Sequence, residues 1–379
     1  MNISYITTYD ASDVHNWSGT GFYIAEALKQ QDHYLDFIGN LRTNPGLKLK
    51  LKSLFYNRII KEKFDLERDP LMAENYNKRI LKSLKPGTDV IFSPGSIPIS
   101  LLETKIPKVF YTDATFAGMV GFYESFSNFC SETIKYGNYL EQKALESADI
   151  IIYSSQWAAE TAVENYNVNP NKIKVVPFGA NIESRRELVD IKKIVSAKSA
   201  TECHLLFLAV DWRRKGGEMA VKIAENLNKR GIKTILHIAG IKDLPLKELP
   251  DFIINHGFIS KANNEGREKI NALFAKCHFL LLPTIADCTP IVYSEANSFG
   301  LPCISTKVGG IPTILKDDIN GKLFSVTDDE NAYASYIEDT FTNSERYKQL
   351  SYSSFNEYAE RLNWNSAGKA ISTLLKELH

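Results

Sequence analysis

The sequence lacks several features that would place it in a large class of proteins. Neither charge is in excess, because 45 lysines and arginines balance 45 aspartates and glutamates, so the net charge does not indicate a nucleic-acid partner. No uninterrupted apolar run approaches the roughly 18 residues that a transmembrane helix needs. The opening residues MNISYITTYDAS show no basic segment followed by an apolar one, so we expect no secretory signal and a cytoplasmic protein.

Cysteines and metal-ligand patterns are also sparse. The five cysteines are odd in number, lie mostly in apolar runs and show no CxxC or Cys/His spacing, which favours buried reduced thiols. No Asp-x-Asp triplet stands at the end of a predicted strand, and the nearest analogue, Asp65-Leu66-Glu67, falls in a charged, helix-like segment. No G-x-G-x-x-G motif suggests a dinucleotide. We therefore expect neither a metal nor a bound cofactor.

Short apolar runs alternate with helix-length segments over the 379 residues, of which 44% are hydrophobic and 24% charged. Near-continuous β-branched and aromatic runs are typical of parallel strands covered by helices on both faces, so we predict an α/β fold. The predicted strands are 3–7, 34–39, 89–94, 108–113, 149–155 and 174–179 in the first half, and 204–210, 234–240, 252–257, 279–284 and 303–310 in the second.

The alternation pauses at 181–200, a charged stretch that we interpret as a linker between two doubly wound domains. We predict a first domain over 1–185, a second over 200–363, and an amphipathic terminal helix over 364–379. Ligands of such sheets bind beyond the carboxyl ends of the strands. The loops at those ends are therefore where functional residues are expected.

The loop after the predicted strand 279–284 carries the clearest functional pattern. It places carboxylates at Asp287 and Glu295, with seven residues between them, on either side of a helix start near Pro290. The backbone N–H groups of that first helical turn, near Thr289 and Ile291, are typical of an anion site. Both carboxylates can face one ligand from different ends. The alternative is that Glu295 only caps or decorates the helix.

Three more loops fall at predicted strand ends. Residues 213–217 (RRKGG) place three cations before a helix, where they either bind a diphosphate or form a solvated charge run. Residues 17–21 (WSGTG) open a helix with small residues that let a ligand approach, and Thr20 can cap that helix. His15 is either an acceptor contact or a surface histidine. Asp113 ends the predicted strand 108–113 and can cap the segment after it.

The spacing of Asp287 and Glu295, flanked by EANSFGLP, resembles the E-x7-E signature of the retaining GT-B glycosyltransferases of family 4. Lys215 falls at the KG of that family's diphosphate-binding loop, residues 308–310 at its GG loop, and Trp364 at the start of its last helix. The resemblance covers nearly the whole chain. It implies a GT-B fold, in which two Rossmann-like domains face a central cleft and the terminal helix crosses back to the first domain.

The resemblance also implies roles for individual residues. Asp287 would hold the donor sugar and Glu295 the ribose, although aspartate replaces the family's first glutamate here. Lys215 would bind the diphosphate together with Arg213 or Arg214, because a valine occupies the usual arginine position. The predicted catalytic residues are Asp287, Lys215 and Asp113; the donor-binding residues are Gly19, Thr20, Arg213, Arg214, Lys215, Asp287, Thr289, Pro290, Ile291 and Glu295; the acceptor-side residues are His15, Thr20 and Asp113.

The implied activity is that of a metal-independent, retaining hexosyltransferase. It would move a hexose-type sugar from a nucleotide-diphosphate sugar to a hydroxyl of a glycan or lipid-linked acceptor, in surface polysaccharide or glycolipid biosynthesis. One alternative is a GT-B-like sugar-nucleotide epimerase, which forms product from the donor alone. Another is a non-catalytic two-domain sugar-binding protein, which binds without turnover.

A basic stretch at 42–63 supports a separate hypothesis. It intersperses cations among leucine, isoleucine and phenylalanine, which is typical of a surface that contacts an anionic membrane. Such contact would make the protein peripheral on the inner face of the membrane and bring it to a lipid-linked acceptor. The alternative is a solvated helical hairpin. The cations are Arg42, Lys48, Lys50, Lys52, Arg58, Lys61 and Lys63.

Overall fold

A computed structural model describes residues 1–42, 44–182, 186–246, 248–261 and 263–378. They form two compact units, each described by itself here. The first unit contains Met1–Pro177 and the chain from Trp364 onward, and the second contains Phe178–Asn363. Each unit is built on a six-stranded parallel sheet, so the predicted α/β class is confirmed.

The strands are β1 (Asn2–Ile6), β2 (Tyr34–Ile38), β3 (Val90–Ser93), β4 (Lys108–Thr112), β5 (Ile150–Tyr153), β6 (Ile173–Val175), β7 (Cys203–Leu208), β8 (Thr234–Ala239), β9 (Ile253–Asn255), β10 (Phe279–Leu282), β11 (Cys303–Thr306) and β12 (Gly321–Phe324). The first sheet has the strand order β2-β1-β3-β4-β5-β6 and the second has the order β12-β11-β10-β7-β8-β9.

The helices in the described residues surround these sheets. They are α1 (Thr20–Lys29), α2 (Gly46–Phe55), α3 (Pro70–Ser83), α4 (Phe116–Met119), α5 (Ser131–Ser147), α6 (Gln156–Asn165), α7 (Leu188–Ser196), α8 (Gly217–Lys229), α9 (Asn264–Lys276), α10 (Ile291–Asn297), α11 (Ile311–Ile314), α12 (Glu330–Thr342), α13 (Ser344–Arg361) and α14 (Trp364–Lys376).

The inner strands are apolar along their whole length because both of their faces are covered. Every residue of β3, β5, β10 and β11 is buried. In the first sheet the chain runs from β1 outward to β2 and then restarts at β3 on the other side of β1. The second sheet repeats this reversal between β7 and β10. Such a reversal opens a crevice at the carboxyl ends of the two central strands.

The stretch 181–200, predicted as a linker, belongs to the second unit. Residues 188–196 form helix α7, and the two units divide between Pro177 and Phe178 rather than near 185 or 200. Although this sequence is rich in charges, α7 is amphipathic, and its Ile191 and Val195 are buried in the core of the second unit. Residues 183–185 of the predicted linker lie outside the described residues.

The terminal helix α14 belongs to the first unit, where it packs on α1. The Trp364 ring is nearly parallel to that of Tyr23, with centroids 6.3 Å apart. A Cβ on Gly368 would lie 2.6 Å from the carbonyl oxygen of Ala27, so the glycine allows the two helices to approach closely. Residue 379, included in the predicted helix, lies outside the described residues.

The five cysteines are all buried and free, as their sequence context predicts. In the described part of the chain, no helix is both long enough and apolar enough to cross a bilayer.

A chain of hydrogen-bonded histidines crosses β7 and β8 in the second unit. His204 Nδ1 lies 3.0 Å from His237 Nε2, and His237 Nδ1 lies 3.0 Å from His256 Nε2. Burial in an apolar surrounding disfavours the charged imidazolium, which lowers the pKa of His237 to about 3. The chain of hydrogen bonds therefore requires neutral rings.

This pKa shift predicts a loss of stability in acid. The unfolded chain binds a proton at His237 below a pH of about 6.5, whereas the folded chain does not, so stability falls as the pH decreases by about 1.4 kcal/mol per pH unit. Urea unfolding of the wild type between pH 7.5 and pH 5 should show a loss about 2 kcal/mol larger than that of His237→Gln. His15→Gln, at a surface position, is the control and should follow the wild type. Parallel pH profiles of wild type and His237→Gln would contradict this assignment.

Candidate functional site

The loops after β7 and β10 lie against each other at the reversal point of the second sheet. Gly216 has a φ of 78°, and a Cβ there would lie 2.0 Å from the carbonyl oxygen of Pro283. Only glycine, which has no Cβ, can combine this left-handed backbone with so close an approach to the Pro283 carbonyl oxygen. The Arg214 carbonyl accepts hydrogen bonds from Thr284 Oγ1 at 2.8 Å and from the Ile285 N–H at 2.9 Å. The two loops are thus joined by backbone as well as by side chains.

This junction places two cations on one carboxylate. Asp287 accepts a hydrogen bond from Lys215 Nζ and lies 3.3 Å from Arg214 Nη1. Asp287 is only 6% exposed, so the cluster is largely shielded from water. Arg214 Nη1 also donates to the Ala286 carbonyl at 2.9 Å, and its Nε lies 3.2 Å from Asp211. The arginine is therefore fixed from two sides.

The three predicted cations are not equivalent. Arg214 and Lys215 meet at Asp287, whereas the side chain of Arg213 is exposed. Sequence reasoning left Arg213 and Arg214 open as the second diphosphate ligand. The geometry places Arg214 rather than Arg213 in the cluster. Asp211, which holds Arg214, had been assigned no role.

Glu295 lies on α10 and is paired with Lys261, a residue that the sequence did not indicate. Its carboxylate accepts a hydrogen bond from Lys261 Nζ, and the residue is 1% exposed. Because Glu295 is buried, it is not a solvated surface residue of α10. It is also the fifth residue of the helix, which is too far from the N-terminus to act as an N-cap. Lys261 is half exposed and precedes α9, in a loop with no motif. Only the fold brings it to Glu295.

The remaining predicted donor residues surround the start of α10. Pro290 is the N-cap and Ile291 the first helical residue, one position later than predicted. Thr289 is 8% exposed, and its hydroxyl donates to the Cys288 carbonyl at 2.7 Å. The Gly310 N–H donates to the Asp287 carbonyl at 3.2 Å, so the predicted GG loop also reaches this site.

The far end of α10 is held by two buried amides. Asn320 Nδ2 donates to Asn297 Oδ1 at 2.8 Å, and Asn297 Nδ2 donates to the Leu301 carbonyl at 3.1 Å. Both asparagines are fully buried. Because they link α10 to the start of β12, they fix the helix that carries Glu295.

In the first unit the loop before α1 has an unusual backbone. Trp17, Ser18 and Gly19 have φ values of 46°, 55° and 82°, three left-handed residues in succession. Left-handed conformations at non-glycine residues are costly and are often found at functional sites. Thr20 follows as the first residue of α1 and is buried. His15 is exposed and hydrogen-bonded to Asp13 at 2.7 Å. The predicted roles of Gly19, Thr20 and His15 stay predictions.

Asp113 lies just beyond β4 and is partly exposed. It does not act as the N-cap of α4. That position is taken by Thr115, whose Oγ1 accepts a hydrogen bond from the Gly118 N–H at 3.0 Å. Asp113 is therefore not the N-cap of α4, and its predicted acceptor-orienting role stays a prediction.

No group of three histidine, cysteine, aspartate or glutamate side chains suited to a metal ion occurs among the residues that the structure describes. Asp65, of the Asp65-Leu66-Glu67 triplet, instead accepts a hydrogen bond from the Glu67 N–H at 3.0 Å and caps a short 3-10 turn.

Two family models match successive parts of the chain. The model for glycosyl transferases group 1 matches residues 190–357, and the model for glycosyltransferase family 4 matches residues 22–184. Together they cover most of both units.

Individual relatives are distant. An uncharacterised 41.2 kDa protein of the cps region of Klebsiella pneumoniae is 24% identical over 235 residues, which are 60% of this chain and 60% of that protein. The chain spans about half to three fifths of the length of the curated relatives that it matches.

Two solved structures share the fold over the whole chain. Sucrose-phosphate synthase from Thermosynechococcus elongatus superimposes with a TM-score of 0.67 at 17% identity, covering 100% of this chain and 99% of that one. HepE from Anabaena, solved with UDP and glucose, has a TM-score of 0.64 at 14% identity and covers 100% of both chains. The chain therefore has the two-domain GT-B fold that the sequence resemblance implies.

Proposed function

Since the chain belongs to the GT-B glycosyltransferases of the family 4 type, we propose that it transfers a hexose-type sugar from a nucleotide-diphosphate sugar to a hydroxyl of a glycan or lipid-linked acceptor, with retention of configuration. The main support is the cluster of Lys215, Arg214 and Asp287 at the reversal point of the second sheet. The cps-region relative supports surface polysaccharide or glycolipid assembly as the pathway.

The cation cluster suits a diphosphate leaving group. When the bond from the anomeric carbon to the diphosphate oxygen breaks, negative charge grows on that oxygen. Lys215 and Arg214 are held in place before the ligand arrives, since Asp211 and the Ala286 carbonyl fix the arginine. A diphosphate takes the place of Asp287 on Lys215, and the released carboxylate then accepts hydrogen bonds from the sugar hydroxyls. We propose that these cations supply the charge that a divalent ion supplies elsewhere.

The buried Glu295 suits the ribose of the nucleotide. A carboxylate has only acceptor atoms and can receive both hydroxyls of a vicinal diol. Lys261 pairs with this carboxylate and orients it while no ligand is bound. The two asparagines behind α10 hold the helix still, so the ribose contact costs little rearrangement.

Retention requires the acceptor oxygen to bond the same face of the anomeric carbon that the diphosphate leaves. We assign no residue as a base or nucleophile. His15, Thr20 and Asp113 of the first unit remain the proposed acceptor-side residues.

Proton couplings of the anomeric centre in the product, measured by NMR, distinguish retention from inversion. Product formed from the donor alone would instead indicate an epimerase, and binding without nucleotide release a sugar-binding protein.

The donor site predicts stabilisation by nucleotide-sugars. A ligand at about 100 times its Kd stabilises the folded state by about 2.7 kcal/mol, which raises Tm by several degrees. A thermal-shift panel of UDP-, GDP- and ADP-sugars should contain at least one such ligand, with UDP-glucose the first to test because HepE was solved with UDP and glucose. If no member of the panel raises Tm, the proposed function fails.

The same panel tests Glu295. Glu295→Ala removes charge-assisted hydrogen bonds worth about 1.5–3 kcal/mol, so the Kd of the best nucleotide-sugar should rise at least about tenfold. The matched control is Glu265→Ala, since Glu265 is an exposed acid on neighbouring α9. An unchanged Kd in Glu295→Ala would remove the ribose assignment.

Loss of Lys215 should affect the chemical step more than binding. Lys215→Gln removes a cation that stabilises the leaving group, and kcat should fall about 100- to 1000-fold. Turnover is measured as nucleotide released at saturating donor. Lys222→Gln, at an exposed position on α8, controls for the loss of a surface charge. A kcat within a factor of two or three of the wild type would show that Lys215 does not carry this role.

We also propose that the basic stretch at 42–63 contacts an anionic membrane. It forms α2 and a π-helical turn at Tyr56–Ile60, while residue 43 lies outside the described residues. Lys52 is excluded from the contact because it is partly buried and paired with Glu132. Leu49 packs inward, but the other leucine, isoleucine and phenylalanine side chains are exposed, with exposures of 44% to 74% for Leu47, Leu51, Leu54, Phe55, Ile59 and Ile60. The exposed cations Lys48 and Lys50 accompany them on α2.

Membrane contact predicts a dependence on lipid charge. The wild type should sediment with vesicles containing phosphatidylglycerol and much less with vesicles of phosphatidylcholine alone. Each lysine near an anionic surface contributes about 1 kcal/mol, so Lys48→Gln/Lys50→Gln should weaken partitioning about thirtyfold. The control is Lys78→Gln/Lys82→Gln on the exposed face of α3. Equal partitioning of both double variants would favour the solvated hairpin.

A further inference from the structure

The first unit contains a cavity of mixed apolar and polar lining that the proposed donor site does not use. It lies at the carboxyl ends of β1, β3 and β4, where the first sheet has its own reversal point. Its volume is about 160 Å³. Pockets for drug-sized ligands measure about 300–1,000 Å³, so this one holds a single ring or less. The polar side chains that line it include Thr7, Thr8, Arg68, Ser93, Ser96 and Glu141.

Four residues that line this cavity carry a buried polar atom with no hydrogen-bond partner in the described part of the chain: Tyr9 (hydroxyl), Arg68 (Nε), Ser93 (hydroxyl) and Glu141 (Oε1). Glu141 extends from α5 and is 3% exposed, and its Oε2 accepts a hydrogen bond from Ser96 Oγ at 2.6 Å. Ser93, at the end of β3, is fully buried. Buried polar atoms are nearly always paired in proteins, so four such atoms on residues of one cavity indicate a ligand.

The charges around the cavity restrict the ligand. No carboxylate-to-cation pair within 4.0 Å involves Glu141 among the described residues, and burial raises the pKa of its carboxyl. Arg68 Nε lies 3.2 Å from Asp65 and the guanidinium stacks 4.1 Å from the Phe116 ring centroid, but this Nε makes no hydrogen bond in the described part of the chain. Glu67, which also lines the cavity, is paired with Arg42 at 2.7 Å. An anion would be repelled by Glu141 and a further cation by Arg68. A neutral ring with several hydroxyl groups, which both donate and accept hydrogen bonds, suits these open donors and acceptors.

We propose that this cavity binds a hydroxyl-bearing ring of the acceptor, a sugar or a cyclitol, with Glu141 Oε1 accepting from one ring hydroxyl and Ser93 Oγ bonding another. The inference rests on the proposed function, which requires an acceptor. It adds a binding site and two specificity-determining residues that neither the sequence motifs nor the donor-site geometry had identified. Glu141 thereby selects for a hydroxyl at one position of the ring.

Ligand-detected NMR on the full chain tests the inference. Saturation-transfer difference spectra are recorded with the methyl glycosides of glucose, galactose, mannose and N-acetylglucosamine and, as a separate arm, with myo-inositol. At least one probe should bind the wild type. Its Kd should rise at least tenfold in Glu141→Gln, which keeps the side-chain shape, and several-fold in Ser93→Ala, which removes the open hydroxyl. The arm that responds distinguishes a sugar from a cyclitol.

Glu146→Gln is the matched control, because Glu146 lies on the same helix but is exposed and paired with Lys143. It should bind the probe as the wild type does. Nucleotide-sugar thermal shifts, measured on every variant, report the fold and the donor site separately and should not change. If a nucleotide-sugar raises Tm but no probe binds, or if the probe binds wild type and Glu141→Gln equally, this inference fails and the donor proposal stands. If no nucleotide-sugar raises the Tm of the wild type, both the donor proposal and this inference fail.

Discussion

The contact between the loops after β7 and β10 is the constraint on which the second unit's site depends. A glycine with left-handed backbone at 216 lets one loop approach the Pro283 carbonyl more closely than any side chain would permit. The Arg214 carbonyl then receives two hydrogen bonds from the neighbouring loop. With the backbone fixed in this way, Lys215 and Arg214 can reach only a small region, and Asp287 lies in it. The charge cluster is a consequence of this backbone junction.

Most of the fold could be predicted because parallel strands buried on both faces leave a strong signal in the sequence. Strand β12 was missed, since Gly321–Phe324 is short and contains a glycine and a lysine. Helix α7 was read as a linker because its charges outnumber the two residues, Ile191 and Val195, that it buries. In both cases tertiary packing decides the structure, and local composition does not reveal it.

The site could be predicted where chemistry follows a strand end within a few residues. Asp287 and Lys215 are predicted in this way and Glu295 by its spacing from Asp287; the structure pairs Asp287 with Lys215, and the roles of all three stay predictions. Lys261 could not be found, because it is an ordinary loop lysine 34 residues from its partner Glu295. Glu141 lies in mid-helix, where an acid is usually solvated. Its importance depends on which face of α5 is buried, and the sheet determines that face.

The buried acids of the two units differ in their partners, and this difference determines what each can bind. Asp287 and Glu295 are each paired with a lysine, so the second unit remains balanced when its ligand is absent and can exchange a carboxylate for a diphosphate. Glu141 is hydrogen-bonded, within the described part of the chain, only to the Ser96 hydroxyl. A buried carboxylate without a cation is costly until neutral donors surround it. The first unit therefore gains most from hydroxyl groups, and the second from phosphates. This difference is what the proposed sugar transfer between a charged donor and a neutral acceptor requires.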